Sequence, residues 1–453
     1  MAGIWGAMRG SGGFPTRPVA PVGRGVVLAL TVALAGCWPA PAQGPDRRAY
    51  NPFETVITPT TVRTLAPVWT ATTDGAADGR AHVGPPVVSN VGVHLSDGGN
   101  LYGFDSATGA RLWRHPDTPF GASFGDPVAD PVADGDRVLF SAGVQVGYSG
   151  SWAGEATWLD ARTGAPGQTV ADGPVLARRG TRLVTRSAVG SGLFIFHLNF
   201  LHVVDTADPA AGWTGTLRSG PPGGPPATLG GHRVYVAGTA TDSYLPAVES
   251  TGVRAYPLTP PETCAESPPA WPISAPIPCP LWFTPTASQP VTSPVLGPGE
   301  TTLYVGTGDG TLLALDAGDG HELWRAPLGA APSADPALAD GRLYVPLTSG
   351  QLVVIPAGGC GRAMCRPAWR AELGAAAVQP AVAGGVVFVG TDAGRALALP
   401  AAGCGRHRCR PLWEQGMGGA ITGAPAVTGG RIYLGVAPDR LVALAPADLR
   451  SGT

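Results

Sequence analysis

The 453-residue chain contains no lysine, so all 30 of its strongly basic side chains are arginines. This absence excludes catalysis through a Schiff-base lysine and phosphate binding by a P-loop lysine. Charged residues make up only 14% of the chain, and the formal net charge is −2. Because the chain has no net basic field to hold a polyanion, we expect no nucleic-acid partner.

Glycine and proline, in contrast, are abundant. The chain has 67 glycines and 48 prolines, and they fall at regular intervals beside short apolar runs. In one such stretch we predict strands at 303–305, 312–315 and 322–325, separated by turns at 308–310 and 316–320. This alternation is typical of strands joined by tight turns rather than of helices.

The sequence also repeats itself. Successive units open on a proline and close on a tryptophan, and Pro336, Pro380 and Pro425 follow each other at steps of 44 and 45 residues. A period of this size predicts propeller blades. Followed along the chain, the repeat has eight opening prolines: Pro86, Pro131, Pro174, Pro226, Pro294, Pro336, Pro380 and Pro425. We therefore predict an all-β, eight-bladed β-propeller of four-stranded antiparallel blades.

The two ends of the array are predicted to meet. The eighth unit stops before any closing tryptophan, whereas the sequence around Trp69 resembles a closing strand with no unit in front of it. An open ring would leave unpaired sheet edges, so we predict that this N-terminal strand completes the last blade. Residues 50–453 then form one domain, and a proline-rich insertion at 258–283 is its one large departure from the repeat.

The N-terminus has the features of an export signal. Arg9, Arg17 and Arg24 precede an apolar run at 26–35, which is too short to span a bilayer. Gly36 and Cys37 follow the run directly. The run Leu-Ala-Gly-Cys resembles the bacterial lipoprotein signal, which implies a signal peptide at 1–36 and acylation of Cys37. We expect an exported protein anchored to a bacterial membrane, with residues 37–49 as a tether. The alternative is an ordinary secretory signal with a chance cysteine.

The other cysteines indicate disulfides. Seven cysteines minus Cys37 leave an even number, and local spacing in an exported chain predicts three bridges. The pairs are Cys264 with Cys279, Cys360 with Cys365, and Cys404 with Cys409. The alternative is a zinc site made by the last four sulfurs, which would have to approach one ion from two different blades.

One turn pattern identifies a family resemblance. The pattern Ala-x-Asp-x-x-x-Gly-x-x-x-Trp occurs at 314–324 and, with glycine for the alanine, at 103–113. It resembles the repeat of the pyrroloquinoline-quinone (PQQ) propeller superfamily. The resemblance implies that the repeated tryptophans dock between neighbouring blades, where a large planar ring dominates the buried area. The tryptophans expected there are Trp69, Trp113, Trp213, Trp282, Trp324, Trp369 and Trp413.

The resemblance leaves two functional branches. Quinoprotein dehydrogenases hold PQQ on the propeller axis, with calcium bound by Glu, Asn and Asp and, in many members, an adjacent cysteine pair. This chain has no Cys-Cys dipeptide, and the calcium ligands match no motif in it. Members of the other branch, non-catalytic lipoproteins of the bacterial envelope, keep the ring and bind no quinone. We expect a monomeric propeller of this second branch that binds envelope proteins, with no catalysis, cofactor or metal. The alternative is a PQQ- and calcium-dependent dehydrogenase of alcohols or sugars.

A binding face can also be predicted. Loops on a rigid scaffold are the usual place for function, and the loops joining the second and third strands of the blades share one face of a propeller. The alternative is that these residues only form solvated turns. The candidate residues are Asp97, Asn100, Tyr148, Trp152, Asp309, Asp392 and Asp439. The insertion at 258–283 is a further candidate for partner contact.

Overall fold

The structure is a computed structural model that describes residues 37–40, 42–75, 83–97, 100–116, 129–146, 151–191, 196–217, 227–241, 249–265 and 277–450. The predicted signal peptide at 1–36 lies outside the described residues. Four-stranded antiparallel sheets form the eight blades of a propeller, as predicted. Within each blade the strands are called inner, second, third and outer, counted from the central channel.

Blades 1 to 8 follow each other along the chain. Their inner strands are Val87–Val88, Ala129–Asp134, Val175–Arg179, Thr228–Leu229, Val295–Leu296, Ala337–Ala339, Ala381–Ala383 and Ala426–Thr428. Their second strands are Val93–Ser96, Arg137–Val146, Arg182–Ser191, Arg233–Thr241, Thr302–Gly306, Arg342–Pro346, Val386–Gly390 and Arg431–Val436. Their third strands are Asn100–Phe104, Ser151–Asp160, Phe196–Asp205, Glu249–Pro257, Thr311–Asp316, Gln351–Pro356, Arg395–Pro400 and Arg440–Ala445. Their outer strands are Arg111–Pro116, Pro166–Asp172, Trp213–Leu217, Trp282–Pro285, Glu322–Pro327, Trp369–Glu372, Trp413–Gly416 and, for blade 8, Ala66–Thr72.

A few short elements complete the fold. Strands outside the blade meanders are Tyr50–Asn51, Thr263–Ala265, Ile277–Pro278 and Arg408–Cys409. The short helices among the described residues are three 3₁₀ turns, Thr61–Thr64, Pro209–Ala211 and Pro298–Glu300, and one α-helical turn, Ala447–Arg450. None of the described helices is long and apolar enough to cross a bilayer.

Burial along a blade explains why the apolar runs are continuous in the middle strands. In blade 5, Thr302–Gly306 and Thr311–Asp316 are buried at nearly every position because both sheet faces pack on neighbouring blades. The outer strand Glu322–Pro327 instead alternates between exposed and buried residues. A single blade cannot bury two apolar faces, so the ring is the stable arrangement.

The last blade is closed by the N-terminal strand, as predicted. Ala66–Thr72 pairs antiparallel with Arg440–Ala445, and Trp69 lies opposite Ala443 in that pairing. Three strands from the end of the chain and one from its beginning therefore share a sheet. This leaves no free edge at the junction of the two ends.

The segment predicted to be a tether lies inside the ring. Residues 37–40 and 42–51, here called the axial segment, lie in the central channel, where Trp38, Ala42 and Ala49 are fully buried. Its backbone pairs with inner strands around the ring. The hydrogen-bonded pairs are Trp38 with Val88, Pro39 with Ala133, Pro45 with Leu229, Asp46 with Leu296, Arg48 with Leu338, and Ala49 with Val382. The inner strands present unpaired N–H groups to the channel, and the axial segment supplies their acceptors. These residues therefore do not form a free linker.

Tryptophan side chains lie in the seams between blades. The tryptophans of the outer strands reach to the turn between the third and outer strands of the next blade. Trp413 differs in reaching Leu65, just before the outer strand of blade 8. Five indole N–H groups donate to backbone oxygens across a seam at 2.9–3.3 Å: Trp69 to Ser106, Trp113 to Ala161, Trp213 to Pro257, Trp282 to Ala317, and Trp413 to Leu65. Because Trp69 belongs to blade 8 and Ser106 to blade 1, this contact also links the last blade to the first.

Glycine makes room for these rings. Gly109 has φ +73°, and a Cβ added there would lie 2.6 Å from the ring of Trp69. Asp105 shapes the same turn by accepting the N–H groups of Ala107 and Thr108 and the hydroxyl of Thr108. The same glycine-to-tryptophan contact recurs in four other seams, at Gly164, Gly320, Gly359 and Gly403.

Gly109→Ala should therefore lower the free energy of unfolding by more than the cost of left-handed backbone alone. Left-handed backbone costs alanine about 1 kcal/mol, and the clash with Trp69 adds about 1–3 kcal/mol. The control is Gly341→Ala, where φ is +70° and no atom lies within 4 Å of the new Cβ. Urea unfolding of both variants gives the two free energies of unfolding. Equal losses would show that the tryptophan contact contributes nothing.

Candidate functional site

The propeller has two distinct faces. The turns between second and third strands lie on one, here called the upper face, together with the connections from one blade to the next. The turns between inner and second strands, and between third and outer strands, lie on the other, here called the lower face. This follows from the antiparallel order of each blade.

The upper mouth of the channel is a cavity of about 590 Å³ that is lined by both polar and apolar residues. Arg47 of the axial segment forms an ion pair with Asp335 there, with 2.9 Å between Nη2 and Oδ2, and both side chains are largely buried. The second oxygen of Asp335 accepts the backbone N–H of Ser293 at 2.7 Å. Gln379 donates to the carbonyl oxygens of Arg47 and Pro336. The axial segment is thus fastened at this mouth.

Asp130 and Asp392 also line the upper mouth. Asp130 has exposed surface, yet its carboxyl group lies among the residues that line the cavity. The reduced hydration raises the pKa of Asp130 to about 6, against the opposing effect of the Arg47 charge. This carboxyl therefore takes up a proton more readily than an ordinary surface aspartate.

The predicted binding-face residues fall into different environments. Asp97 and Asn100 are buried rather than exposed: Asp97 accepts the Asn100 N–H at 2.9 Å and the Tyr102 hydroxyl at 2.7 Å. Their polar atoms stabilise the turn, so they are unavailable to a partner. Asp309 is exposed and also forms its own turn, since it accepts the hydroxyl of Thr307 at 2.6 Å.

The other predicted positions are less uniform. Asp392 is exposed at the upper mouth, and the backbone oxygen of Asp439 accepts the N–H of Thr73. Trp152 lies in the third strand of blade 2, where only its backbone is described, and Tyr148 lies outside the described residues. Of the predicted residues whose side chains the structure describes, only Asp392 lines the channel mouth.

Tall hairpins on the upper face are absent from the sequence-based prediction. The second and third strands have ten residues each in blades 2 and 3 and nine each in blade 4, against five and six in blade 5. Five additional residues raise a hairpin by about 16 Å. Pairing of Trp152 with Ala188 joins blades 2 and 3 into one eight-stranded sheet. The longer spacing between turn residues in these units is the signal that could have revealed them.

The disulfide predictions are confirmed for two bridges. Cys360 bonds Cys365 and Cys404 bonds Cys409, with Cα–Cα distances of 5.6 Å, which excludes zinc on the same four sulfurs. Cys279 is also disulfide-bonded, whereas the side chain of Cys264 lies outside the described residues.

Each disulfide loop covers the outer edge of the preceding blade. The 360–365 loop pairs with Arg325 of blade 5: Arg325 N–H donates to Ala363, and Cys365 N–H donates to Arg325, both at 2.8 Å. Arg408–Cys409 likewise pairs in parallel with Arg370 and Ala371 of blade 6. The insertion at 258–283 contains a two-stranded pair, Thr263–Ala265 with Ile277–Pro278, which lies beside the outer strand of blade 3.

Cys37 lies at the lower mouth. Its Sγ is 3.0 Å from Oδ1 of Asn90, in the turn between the inner and second strands of blade 1. The next residue, Trp38, pairs with Val88 at the end of the inner strand of that blade. The axial segment therefore enters the channel from the lower face.

One further group has the composition of a metal site. Ligand atoms of Asp316, Asp319 and His321 lie within 4.8 Å of one another on the lower face. Asp316 accepts the N–H of Gly318 at 2.7 Å, and Asp319 pairs with the ring of His321 at 2.6 Å. These groups already stabilise the turn of blade 5, as Asp105 does in blade 1.

The geometry defines a class: a closed eight-bladed β-propeller with glycine-tryptophan seams. A family profile described as "Outer membrane protein assembly factor BamB", which is built of PQQ repeats, matches residues 54–183, 279–357 and 362–451. The chain belongs to this family. Among curated proteins, none matches the sequence.

Solved structures share the fold at low sequence identity. Quinohemoprotein alcohol dehydrogenase from Comamonas testosteroni is 14% identical, with a TM-score of 0.64 over 92% of this chain and 82% of that chain. A europium-containing methanol dehydrogenase is also 14% identical, with a TM-score of 0.64 over 92% of this chain and 99% of that chain. BamB from Moraxella catarrhalis is 16% identical, with a TM-score of 0.54 over 84% and 98%. These likenesses establish the fold alone.

Trypsin should cut slowly after Arg47 and Arg48 because these residues lie in the channel. Asp335→Asn removes the charged partner of Arg47, a loss of about 2 kcal/mol that would raise the open population of the axial segment about 30-fold. Asp392→Asn at the same mouth is the control. Mass spectrometry of the released peptide measures the cleavage rate. Equal rates in both variants would contradict a role for the Arg47–Asp335 pair in fastening the segment.

Proposed function

We propose that the protein is an exported lipoprotein of the bacterial envelope, whose propeller binds protein partners as a scaffold and catalyses no reaction. The observation that carries this proposal is the course of the axial segment. The chain's own backbone lies in the channel and pairs with inner strands of six blades. Pairing of Asn51 with Val427 extends these contacts to blade 8.

The composition of the upper mouth also favours a binding role over quinone chemistry. None of the described residues lining this mouth is aromatic, so no ring is available there to stack on a quinone. The charge of Asp335 is neutralised by Arg47. Asp130 and Asp392 also line the mouth and carry oxygen atoms, and many of the other described lining residues are small, such as Ala376, Ala377 and Gly423.

The tall hairpins support partner binding on the upper face. Blades 2, 3 and 4 are consecutive, so their hairpins form a raised wall on one side of the channel mouth. A rigid wall beside the channel mouth gives an asymmetric surface, which favours recognition of a partner in one orientation. Family membership supports the same interpretation, since the family is described by an assembly factor of the outer membrane.

Lipidation fits the position of Cys37. The cysteine follows the predicted signal directly, and it lies at the lower mouth rather than within the channel. An acyl group there would leave the ring without displacing Trp38. The upper face would then point away from the membrane.

Addition of PQQ and calcium to the purified protein tests the alternative, a quinoprotein dehydrogenase. We expect no change in the absorbance of the quinone, no rise in the melting temperature and no dye reduction with alcohols or sugars. A ligand that binds only the folded state would raise the melting temperature. Such a rise, together with dye reduction, would replace the scaffold proposal with the enzyme.

Site-specific cross-linking in intact cells tests the scaffold directly. A photoreactive residue in place of Trp152, in the blade 2 hairpin, should give discrete adducts with envelope proteins. The same residue in place of Asp319, in a lower turn of blade 5, serves as the control for collisions and should not give them. Identical adduct patterns at both positions, or none at Trp152, would contradict partner binding through the tall hairpins.

A further inference from the structure

A second cavity opens at the lower mouth of the channel. Its volume is about 940 Å³, which is larger than the cavity of the upper mouth. The lower turns of blades 4 and 5, the end of the inner strand of blade 3 and the axial segment form its wall. The charged residues that line it are Asp46, Arg48, Arg179, Arg233 and Glu300.

The two mouths of the channel carry opposite charge. The upper mouth is lined by one arginine and three aspartates, whereas the lower mouth is lined by three arginines and two carboxylates. Neighbouring residues of the axial segment contribute to this difference. Arg47 lines the upper mouth, and Asp46 and Arg48 line the lower one. A negatively charged ligand is therefore favoured at the lower mouth.

Both carboxylates of the lower mouth are paired. Oδ2 of Asp46 lies 2.5 Å from Nη2 of Arg48. Oε1 of Glu300 lies 2.5 Å from Nη1 of Arg179. Burial raises the pKa of Glu300, but hydrogen bonds from the Gly231 N–H and from Arg179 outweigh that effect and lower the pKa overall. Each pair therefore has no net charge, and each guanidinium keeps N–H groups that its carboxylate does not use.

Arg233 supplies the surplus positive charge. Its Nη1 donates to the backbone oxygen of Ala317 at 2.8 Å, and it forms no ion pair with any described residue. Asp316, in the adjacent lower turn of blade 5, already accepts the N–H groups of Gly318 and Asp319. A guanidinium has five N–H donors in a planar fork, so Arg233 can bind an anion while it keeps its hydrogen bond to Ala317.

The lower turn of blade 5 holds these groups in place. It has five residues, 297–301, whereas the same turn has two residues in blades 2, 3, 6, 7 and 8. Glu300 has φ +57°, a left-handed conformation that is unfavourable for a residue with a side chain. From this position its carboxylate reaches blades 3 and 4, where it accepts Arg179 and the N–H of Gly231. Strained backbone that fixes charged groups around a cavity is typical of binding sites.

We propose that the lower mouth binds the phosphate group of a phosphorylated polyol such as glycerol phosphate, with Arg233 as the principal anion-binding residue. Guanidinium groups bind phosphate oxygens through charged hydrogen bonds, often two at a time. Arg48 and Arg179, each oriented by its carboxylate, supply further donors. The inference does not depend on the scaffold function or on acylation of Cys37.

The rest of the cavity indicates what carries the phosphate. Oδ1 of Asp46 can accept a hydroxyl group of the ligand, since Arg48 uses Oδ2. Of the described lining residues only Tyr235 and His232 have rings, and Tyr235 is buried against Trp282. A nucleobase therefore finds little surface for stacking, which favours a polyol over a nucleotide.

Isothermal titration calorimetry of the purified protein with glycerol phosphate tests the site. We expect one molecule to bind per chain, with an affinity that falls as salt is added. R233Q should bind about 10–100-fold more weakly, as expected for the loss of a charged hydrogen-bond donor. R342Q is the matched control and should bind as tightly as the parent, because Arg342 begins the second strand of blade 6 as Arg233 begins that of blade 4 but lies outside the cavity.

A second titration distinguishes a lipid headgroup from a soluble phosphate ester. Vesicles that contain phosphatidylglycerol are compared with vesicles of phosphatidylcholine alone. Binding to the first vesicles and not to glycerol phosphate, with the same loss in R233Q, assigns the cavity to a headgroup. Binding to glycerol phosphate assigns it to a soluble ester.

Chemical modification tests the site in the unaltered protein. Glycerol phosphate, or the phosphatidylglycerol vesicles if only these bind, should slow the reaction of phenylglyoxal with Arg233 and not with Arg342, as measured by mass spectrometry of the peptides. This result stands even if R233Q folds poorly. Binding of both probes weaker than millimolar, equal weakening by R233Q and R342Q, no protection of Arg233, or tighter binding of adenosine monophosphate than of glycerol phosphate would each overturn the proposal.

Discussion

The contact between a tryptophan and the turn of the next blade is the constraint on which the ring depends. An indole ring reaching across a seam needs a turn residue without a Cβ, and Gly109, Gly164 and Gly320 meet that need. The aspartate of the same turn fixes the backbone that presents the glycine: Asp105 accepts the N–H of Thr108, and Asp316 accepts the N–H of Gly318. One turn sequence therefore serves its own blade and its neighbour. The tryptophan contact recurs in seven of the eight seams; the exception lies between blades 2 and 3, where Gln168 occupies the tryptophan position. The contact of Trp69 with blade 1 is the one that joins the two ends of the ring.

The parts that the sequence predicts are those that solve one packing problem repeatedly. Every blade must bury both faces and turn tightly, so the period, the strands of blade 5 and the closing strand at Trp69 are visible in the residues. The axial segment is different. Its contacts use backbone groups of residues such as Pro39, Pro45 and Ala49, which almost any sequence could provide. No side-chain pattern identifies it, and a proline-rich stretch before a domain resembles a linker.

The candidate site is predictable only in part for related reasons. The sequence places Asp97 and Asn100 correctly in an upper turn. The burial of these two side chains depends on their surroundings, which include Tyr102, whose hydroxyl donates a hydrogen bond to Asp97. The tall hairpins depend on how far two strands continue to pair, and that is decided by partners from opposite sides of a turn. The disulfides of blades 6 and 7 follow from spacing alone, because two cysteines five positions apart in an exported chain are the natural partners of each other.

The position of those disulfides has a physical reason beyond loop closure. A propeller hides its inner strands in the channel, but every outer strand exposes a row of N–H and C=O groups. The loops at 360–365 and 404–409 pair with the outer edges of blades 5 and 6, where Arg325 and Arg370 find backbone partners. A short loop holds such a strand-like shape only if its ends are fixed, and the disulfide fixes them.

The axial segment changes what an anchor at Cys37 would do. A flexible linker would let the ring tumble above a membrane and present every face to partners. Hydrogen bonds between the axial segment and the inner strands, beginning at Trp38 and continuing to Ala49, instead hold the anchor point against the lower mouth. No flexible residues separate the two. The ring would then lie directly on the bilayer, and its lower turns would contact the lipid headgroups. The hairpins of blades 2, 3 and 4 rise from the upper face and would consequently point away from the membrane.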